Sequence, residues 1–324
     1  MTIRRRTLIA LGLAFLPLVA MPVSAQEHPE RIAIGYGYAT PSTLVLKETG
    51  WLEEQLADDG IAVEWILTRG SNQTLEFLRS GSIDFGSSAG SAAFLGHANG
   101  APNKIVAWLS RGESTALLTL PDSGISSVED LPGRKVAATR ATEPYLFLQR
   151  ALAEAGIAES EVEVVPLQHP EGRQALESGQ VDAWAALDPD FSIAELRGAV
   201  VFHRDQNLIT GGVLNAHADF VARYPQYVEL VLQGIVWATE YIAENPDEAK
   251  ALYAEAGGLE PDVAERAFAR NILDQYQITD ADFANVVAAG DVLRQSGSIP
   301  EDADLEATAQ SLFAPEFIDA VLAR

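Results

Sequence analysis

The chain has 324 residues, of which 48% are hydrophobic and 21% charged, a composition typical of a globular protein with room for two domains. Its formal net charge of −24 argues against a nucleic-acid partner, because the phosphates would be repelled. A small anion is still a possible ligand, since a local ring of donors outweighs surface charge that salt screens over about 8–10 Å. The chain has no Cys, which excludes disulfides and Cys-bound metal centres.

Residues 1–25 are predicted to be a signal peptide. Three consecutive Arg at 4–6 precede an apolar stretch over residues 8–19, and Ala25 closes a run of small residues suited to cleavage before Gln26. The apolar stretch is too short to cross a bilayer comfortably. The paired arginines leave both the general and the twin-arginine export routes open.

The first half of the remaining chain alternates between strand and helix patterns. Strands are predicted over 31–35, 61–67, 83–86 and 104–109, and helices over 42–58, 72–79 and 91–98. The pattern continues with strands over 115–120, 136–139, 162–165, 181–187 and 199–202, and helices over 144–155, 171–177 and 189–197. Residues 211–214 are predicted to return the chain to the first lobe, and everything after residue 219 is predicted to be helical.

One segment occurs twice. LRSGSIDF at 78–85 returns as LESGQVDA at 176–183, and each copy closes a unit with the order strand, helix, strand, helix, strand. Two similar α/β units predict two lobes that face each other across a cleft. Asp84 and Asp182 occupy equivalent places in the two units, which favours turn or capping roles over catalysis. We expect lobe 1 to span 26–113 and 212–324, lobe 2 to span 114–211, and the hinge to lie near Gly112 and Gly211.

Candidate binding residues follow the strands, where ligands of open α/β sheets bind. Helix N-termini at these places favour anions, although ordinary N-capping explains the same residue types. Arg111 follows the fourth strand and could clamp an oxyanion, or it could pair with Glu113 on the surface. Aromatic side chains nearby could form a wall for an apolar tail, or they could belong to the core. The predicted ligand-binding residues are Tyr36, Tyr38, Ser71, Ser88, Gly90, Ser91, Arg111, Glu113, Thr139, Thr142, Tyr145, Trp184 and Asp188.

Enzyme motifs are mostly absent from the sequence. Residues 35–40 follow a strand but end in Thr where a dinucleotide-binding loop needs Gly or Ala. There is no phosphate-binding Walker loop, and the five His are not at metal or triad spacing. The sequence therefore predicts a protein that is not an enzyme and has no cofactor and no metal site.

Four segments carry a resemblance to the periplasmic substrate-binding proteins of ABC importers for sulfonates, taurine and nitrate. They are SGSIDFG at 80–86, NGAP at 99–102, SVEDLPGRKVA at 127–137 and VDAW at 181–184. The stretch from Gly86 to Phe94, with Ser110, Arg111 and residues 187–189, resembles the aliphatic-sulfonate branch in particular. The Cys-rich motif of the related thiamine-pyrimidine binders is missing.

The resemblance implies an α/β fold of the two-lobed periplasmic binding protein type II class, in which each lobe is a sheet flanked by helices. It also implies that the protein binds a small organic anion, above all an aliphatic sulfonate, between the lobes and delivers it to a membrane permease. Taurine or nitrate binding, and a periplasmic enzyme on the same fold, stay open as alternatives. We expect the protein to act in the periplasm as a monomer.

Overall fold

The structure is a computed structural model that describes residues 27–324. The predicted signal peptide therefore lies outside the described residues. Within this range no helix combines the length and the apolar character that crossing a membrane requires.

The described residues alternate between strand and helix as far as residue 217 and are mostly helical afterwards. The strands are β1 (Arg31–Tyr36), β2 (Ala62–Leu67), β3 (Phe85–Ala89), β4 (Asn103–Gly112), β5 (Thr115–Thr119), β6 (Lys135–Ala137), β7 (Glu163–Val165), β8 (Ala183–Leu187), β9 (Val200–His203), β10 (Gly212–His217) and β11 (Asn271–Ile272). The helices are α1 (Pro41–Thr49), α2 (Trp51–Leu56), α3 (Ser71–Arg79), α4 (Gly90–Ala98), α5 (Glu143–Glu154), α6 (His169–Glu177), α7 (Asp190–Leu196), α8 (Ala218–Arg223), α9 (Pro225–Glu244), α10 (Pro246–Gly257), α11 (Pro261–Ala269), α12 (Asp280–Gln295), α13 (Leu305–Leu312) and α14 (Glu316–Leu322).

The strands form two sheets with matching topology. The orders are β11-β4-β10-β3-β1-β2 in the six-stranded sheet and β7-β6-β8-β5-β9 in the five-stranded sheet. β1 pairs in parallel with β2 and β3, just as β6 pairs in parallel with β7 and β8. The chain passes from the first sheet into the second at β5 and returns to the first at β10. Each of these two strands is antiparallel to both of its neighbours. This is the predicted two-lobed α/β fold.

The repeated segment has the same local structure in both lobes. Asp84 accepts a hydrogen bond at 2.8 Å from the backbone N–H of Ala33, and Asp182 accepts one at 2.8 Å from that of Lys135. Their own backbone N–H groups donate back to the carbonyls of Ala33 and Lys135. Each Asp therefore holds the central parallel strand of its sheet in place. The turn or capping role predicted for the pair stays a prediction.

Apolar side chains cover both faces of each sheet. In β5, Leu117 packs on the side of α5, whereas Ala116 and Leu118 pack with the other face, as the alternation of side chains along a strand requires. A single apolar cluster runs from Phe94 of the first lobe to Phe147 of the second. The two lobes are therefore in direct contact on the side of α4, α5 and α12.

All strands of the first sheet come from residues 31–112 and 212–272, and all strands of the second from 115–203. The lobe boundaries at 113/114 and 211/212 stay a prediction.

Two elements differ from the sequence-based expectation. The single helix expected over 42–58 is broken into α1 and α2 at Gly50, whose φ of 69° is a left-handed value that ends α1. The strand β11, which pairs with β4, was not expected within the helical C-terminal part.

Candidate functional site

A cavity of about 430 Å³ lies between the two lobes. Its walls are formed mainly by the last residues of β2, β3 and β8 and by the segments that follow β1, β2, β6, β7 and β8. These are the carboxyl ends of the parallel strands, where open α/β sheets bind ligands. The side chains and backbone groups that line the cavity are those of Gly37, Tyr38, Ala39, Thr40, Leu67, Thr68, Arg69, Gly70, Ser71, Ser87, Ser88, Ala89, Ser110, Ser114, Glu143, His169, Pro170, Glu171, Leu187, Asp188, Pro189, Asp190, Ile209, Gly211 and Gly212.

The wall of the first lobe is rich in hydrogen-bond donors. Arg69 is exposed, lines the cavity, and has no ion pair with any acidic residue in 27–324. Beside it, α1 and α3 begin at the cavity without a side-chain cap from the described part of the chain. The first turn of a helix carries unpaired N–H groups and partial positive charge. This wall is therefore suited to an anion.

Hydroxyl groups on the same wall are held in place by the backbone of β3. Ser71 accepts a hydrogen bond at 3.0 Å from the N–H of Ala89, which leaves its own hydroxyl hydrogen free to donate. Ser88 donates its own hydroxyl hydrogen to the Ala89 carbonyl at 3.0 Å and accepts a bond at 2.8 Å from the side-chain amide of Asn215, which is fully buried in β10. These bonds orient the hydroxyl oxygens before any ligand arrives.

The wall of the second lobe has the opposite character, because it carries Glu143, Glu171, Asp188 and Asp190. Two of these carboxylates are neutralised by arginines that lie outside the cavity. Asp190 accepts a bond at 2.8 Å from Arg173, and Asp188 is bound by Arg270. The cavity is thus donor-rich on one wall and acceptor-rich on the other.

Glu143 is a buried carboxyl group at the first turn of α5. It accepts hydrogen bonds from the Thr210 hydroxyl at 2.7 Å and from the Ser91 hydroxyl at 3.3 Å. Ser91 belongs to the first lobe and Thr210 to the segment that returns the chain to it, so Glu143 links the lobes at the back of the cavity. Burial raises the pKa of Glu143 to about 7, although the Thr210 bonds lower it.

His169 starts α6 and is also buried. Its Nδ1 lies 3.3 Å from the Thr139 hydroxyl, which itself donates to the Leu167 carbonyl at 2.7 Å. Its Nε2 is buried without a hydrogen-bond partner among the described residues. Burial lowers the pKa of His169 to about 4, so the ring is neutral at pH 7.

Some of the predicted binding residues line the cavity, some lie directly behind its wall, and the rest lie away from it. Tyr38, Ser71, Ser88 and Asp188 line the cavity. A second group lies directly behind the wall and supports it. Ser91 donates to Glu143, Thr142 donates to the Thr139 carbonyl at 2.6 Å, and Gly90 packs against Thr210. A contact of any of these side chains with a ligand stays a prediction.

Arg111 does not fit its predicted role as the clamp of the anion. Its guanidinium makes a two-pronged ion pair with Asp282 and donates to the carbonyls of Gln275 and Gln277 at 3.2 and 2.9 Å. Four of its five N–H donors therefore hold the C-terminal segment to β4. Glu113, the other partner considered for Arg111, forms an ion pair at 3.3 Å with Arg204.

Three predicted aromatic wall residues also lie away from the cavity. Trp184 is fully buried beneath Gly172, where even a methyl group would collide with its ring. The Tyr145 hydroxyl donates to Glu159 at 2.9 Å. Tyr36 packs edge-on against Trp65. Of the four proposed aromatic residues, only Tyr38 is part of the wall, and most of the apolar lining is aliphatic.

The predicted set of binding residues does not include Arg69, Glu143 and His169, which line the cavity. The signal for Arg69 was present, because it directly precedes Gly70 and Ser71 in the loop after a predicted strand. No local pattern marks His169, which is buried through contacts with Thr139 and Gly70 that are distant in the sequence.

Comparisons with known proteins show the family to which the chain belongs. A family model described as NMT1/THI5 like matches residues 43–249. The chain belongs to the NMT1/THI5-like family. A protein of Escherichia coli (strain K12) with the name "Putative aliphatic sulfonates-binding protein" is 30% identical over 258 residues, which is 78% of this chain and 80% of that protein.

Solved structures show the same fold. The alkanesulfonate-binding protein SsuA from Xanthomonas axonopodis pv. citri, bound to MOPS, matches with a TM-score of 0.81 and 25% identity over 87% of this chain and 98% of that one. The desulfurization enzyme DSZB matches with a TM-score of 0.67 over 91% of this chain, and at 16% identity this likeness concerns the fold alone. The family resemblance predicted from the sequence is confirmed.

Proposed function

We propose that this protein is the solute-binding component of an ABC importer and that it binds an aliphatic sulfonate between its lobes. The observation that carries the proposal is the wall formed by Arg69 and the starts of α1 and α3. A sulfonate offers three acceptor oxygens and no donor, so it needs a site built from hydroxyls, N–H groups and a guanidinium. The named functions of the relatives support the same ligand class.

The rest of the cavity accounts for the organic part of the ligand. Leu67, Leu187 and Ile209 are among the aliphatic side chains that line it. A cavity of about 430 Å³ falls within the range of small-molecule sites and is large for an inorganic anion. Nitrate binding would leave most of this apolar lining without a role.

Calorimetry with methane-, propane- and hexanesulfonate, nitrate, sulfate and taurine tests the proposal. Each buried CH₂ contributes about 0.8 kcal/mol, so affinity should rise roughly fourfold per CH₂ until the cavity is full. Arg69→Gln should weaken sulfonate binding by roughly 10- to 100-fold, because it removes a charged hydrogen bond. Arg79→Gln is the matched control, since Arg79 lies at the other end of α3 and donates to the Asn99 carbonyl. Tighter binding of nitrate or sulfate, or an affinity indifferent to chain length and to Arg69, would contradict the proposal.

A specific observation favours taurine as a second candidate. The acidic wall of the second lobe could accept an ammonium group, and Glu171 is exposed with no ion pair to a described residue. Tighter binding of taurine than of propanesulfonate in the same series would favour this candidate.

The remaining parts of the proposal concern the cellular setting. We propose that residues 1–25 direct export and are removed, that the protein acts in the periplasm as a monomer, and that its partner is a membrane permease. We keep the lobe division at 113/114 and 211/212, with the hinge in these two crossings. A binding role, rather than catalysis, is supported by relatives named as binding proteins.

A further inference from the structure

Arg270 does not line the cavity, yet it binds a side chain that does. One nitrogen of its guanidinium lies 3.0 and 3.1 Å from the two carboxylate oxygens of Asp188 and 2.8 Å from the Ser192 hydroxyl. The second terminal nitrogen of the guanidinium pairs with Glu195, and its central carbon lies 3.8 Å from the centre of the Phe191 ring. The side chains of Arg270 and Asp188 are only 13% and 1% exposed.

Arg270 reaches across the cleft from a fixed position in the first lobe. Its backbone carbonyl accepts a bond at 3.2 Å from the N–H of Glu113, in the first crossing between the lobes. The same carbonyl lies so close to Gly112 that a Cβ there would have no room. The residue is thus attached to the hinge by its backbone and to the second lobe by its side chain.

The charge of Asp188 is a problem for an anionic ligand. Asp188 stands on the cavity wall at the end of β8, nearly sealed from water, where an unpaired carboxylate would repel an anion with little screening. Asp190 on the same wall already has Arg173, and Glu195 is shared between Arg270 and Arg266. Within the described chain Arg270 is the one cation paired with Asp188.

We propose that Arg270 is a positioning residue for anion binding, which neutralises Asp188 when the lobes close so that the ligand does not meet the charge of this buried carboxylate. This inference rests on the proposed function, because it concerns an anionic ligand.

The test compares wild type, Arg270→Gln, Asp188→Asn and the double variant by calorimetry with hexanesulfonate at pH 6 and pH 8. Arg270→Gln should bind on the order of 10- to 100-fold more weakly at pH 8. Burial raises the pKa of Asp188 and the Arg270 charge lowers it, so without Arg270 the carboxyl group should take up a proton more readily. The loss should therefore be smaller at pH 6.

The double variant separates neutralisation from a purely structural role. It lacks the carboxylate of residue 188, so it should regain most of the wild-type affinity. Its binding should depend on pH in the same way as that of wild type, because both proteins keep Glu143. Arg266→Gln, in α11 just before Arg270, is the control and should bind like wild type, because its contact with Glu195 is 3.6 Å long and Arg266 is half exposed. A double variant that binds as weakly as Arg270→Gln at both pH values would overturn the inference.

Urea denaturation of the same proteins without ligand separates the two proposals. If Arg270 neutralises Asp188, Arg270→Gln should lose more stability between pH 6 and pH 8 than the double variant does. If wild type binds no sulfonate, the proposed function is wrong, but this ligand-free comparison still tests whether Arg270 neutralises Asp188. Equal losses of stability in the two variants would overturn that inference.

Discussion

Glu143 should make the stability of the protein depend on pH in a way that Glu143→Gln removes. Glu143 is 6% exposed, and its carboxyl group accepts hydrogen bonds from the hydroxyls of Ser91 and Thr210. The charge of Arg150 also lowers its pKa, although the two form no ion pair among the described residues. Desolvation therefore dominates, and burial raises the pKa of Glu143 from 4.5 to about 7. A Gln at this position keeps the shape of the side chain and cannot titrate.

The sign of the effect follows from proton binding. Between pH 4.5 and about 7 the folded state keeps the Glu143 proton while the unfolded state loses it, so stability falls as pH rises through this window. At about 1.4 kcal/mol per pH unit, the loss is about 3 kcal/mol by pH 7.5. His169 acts in the opposite direction, because burial lowers its pKa from 6.5 to about 4 and its contribution is lost as pH falls through that range. The two contributions oppose each other between pH 4.5 and 6.5.

Urea denaturation at pH 4.5, 6 and 7.5 measures the difference between wild type and Glu143→Gln, which cancels the His169 contribution. The stability of wild type relative to the variant should fall by about 3 kcal/mol across the series. Glu154→Gln, on the exposed face of the same helix, should run parallel to wild type. If Glu143→Gln also runs parallel to wild type, the carboxyl group does not hold a proton in the folded state and the reasoning is wrong.

Two further substitutions test the contact between the lobes and the role of Arg111. A Cβ on Gly70 would lie 3.3 Å from the Nε2 of His169 across the cleft, so Gly70→Val should hold the lobes apart and weaken hexanesulfonate binding by roughly tenfold. Small-angle scattering should then give a larger radius of gyration than for ligand-bound wild type, and wild-type affinity would count against the predicted closure. Arg111→Gln should lower stability by about 2 kcal/mol, because it leaves the buried Asp282 without its cation, but should not change sulfonate affinity. A large loss of affinity at unchanged stability would restore Arg111 to the binding site.

The sequence was most informative where the structure depends on local pattern. The repeat around Asp84 and Asp182 predicted two similar lobes because the same short segment must meet the same backbone in each. The strand and helix order followed from apolar periodicity and turn residues for the same reason. The break at Gly50 was missed because one Gly within an apolar helical pattern is compatible with either a helix or its end.

The cavity loops were predicted, but which side chains point into the cavity was not. Arg111 and Arg69 look alike from the sequence, since each follows a strand near Ser and Gly residues. They differ in what the rest of the chain provides, because Arg111 meets Asp282 at a separation of 171 residues. No periodicity or motif encodes that pairing.

The same reasoning explains why an acidic chain can hold an anion. Its formal net charge of −24 says little about the cavity, where the outcome depends on which carboxylates have a partner. Asp188 and Asp190 each have an arginine supplied from outside the wall, and Glu143 is buried with its pKa near neutrality. Glu171, the fourth acidic residue of the wall, has no ion pair to a described residue, but it is exposed to solvent, which screens its charge. On the opposite wall, Arg69 has no ion pair with any acidic residue in the described part of the chain. Local pairing, more than overall charge, therefore determines the sign of the field that a ligand meets between the lobes.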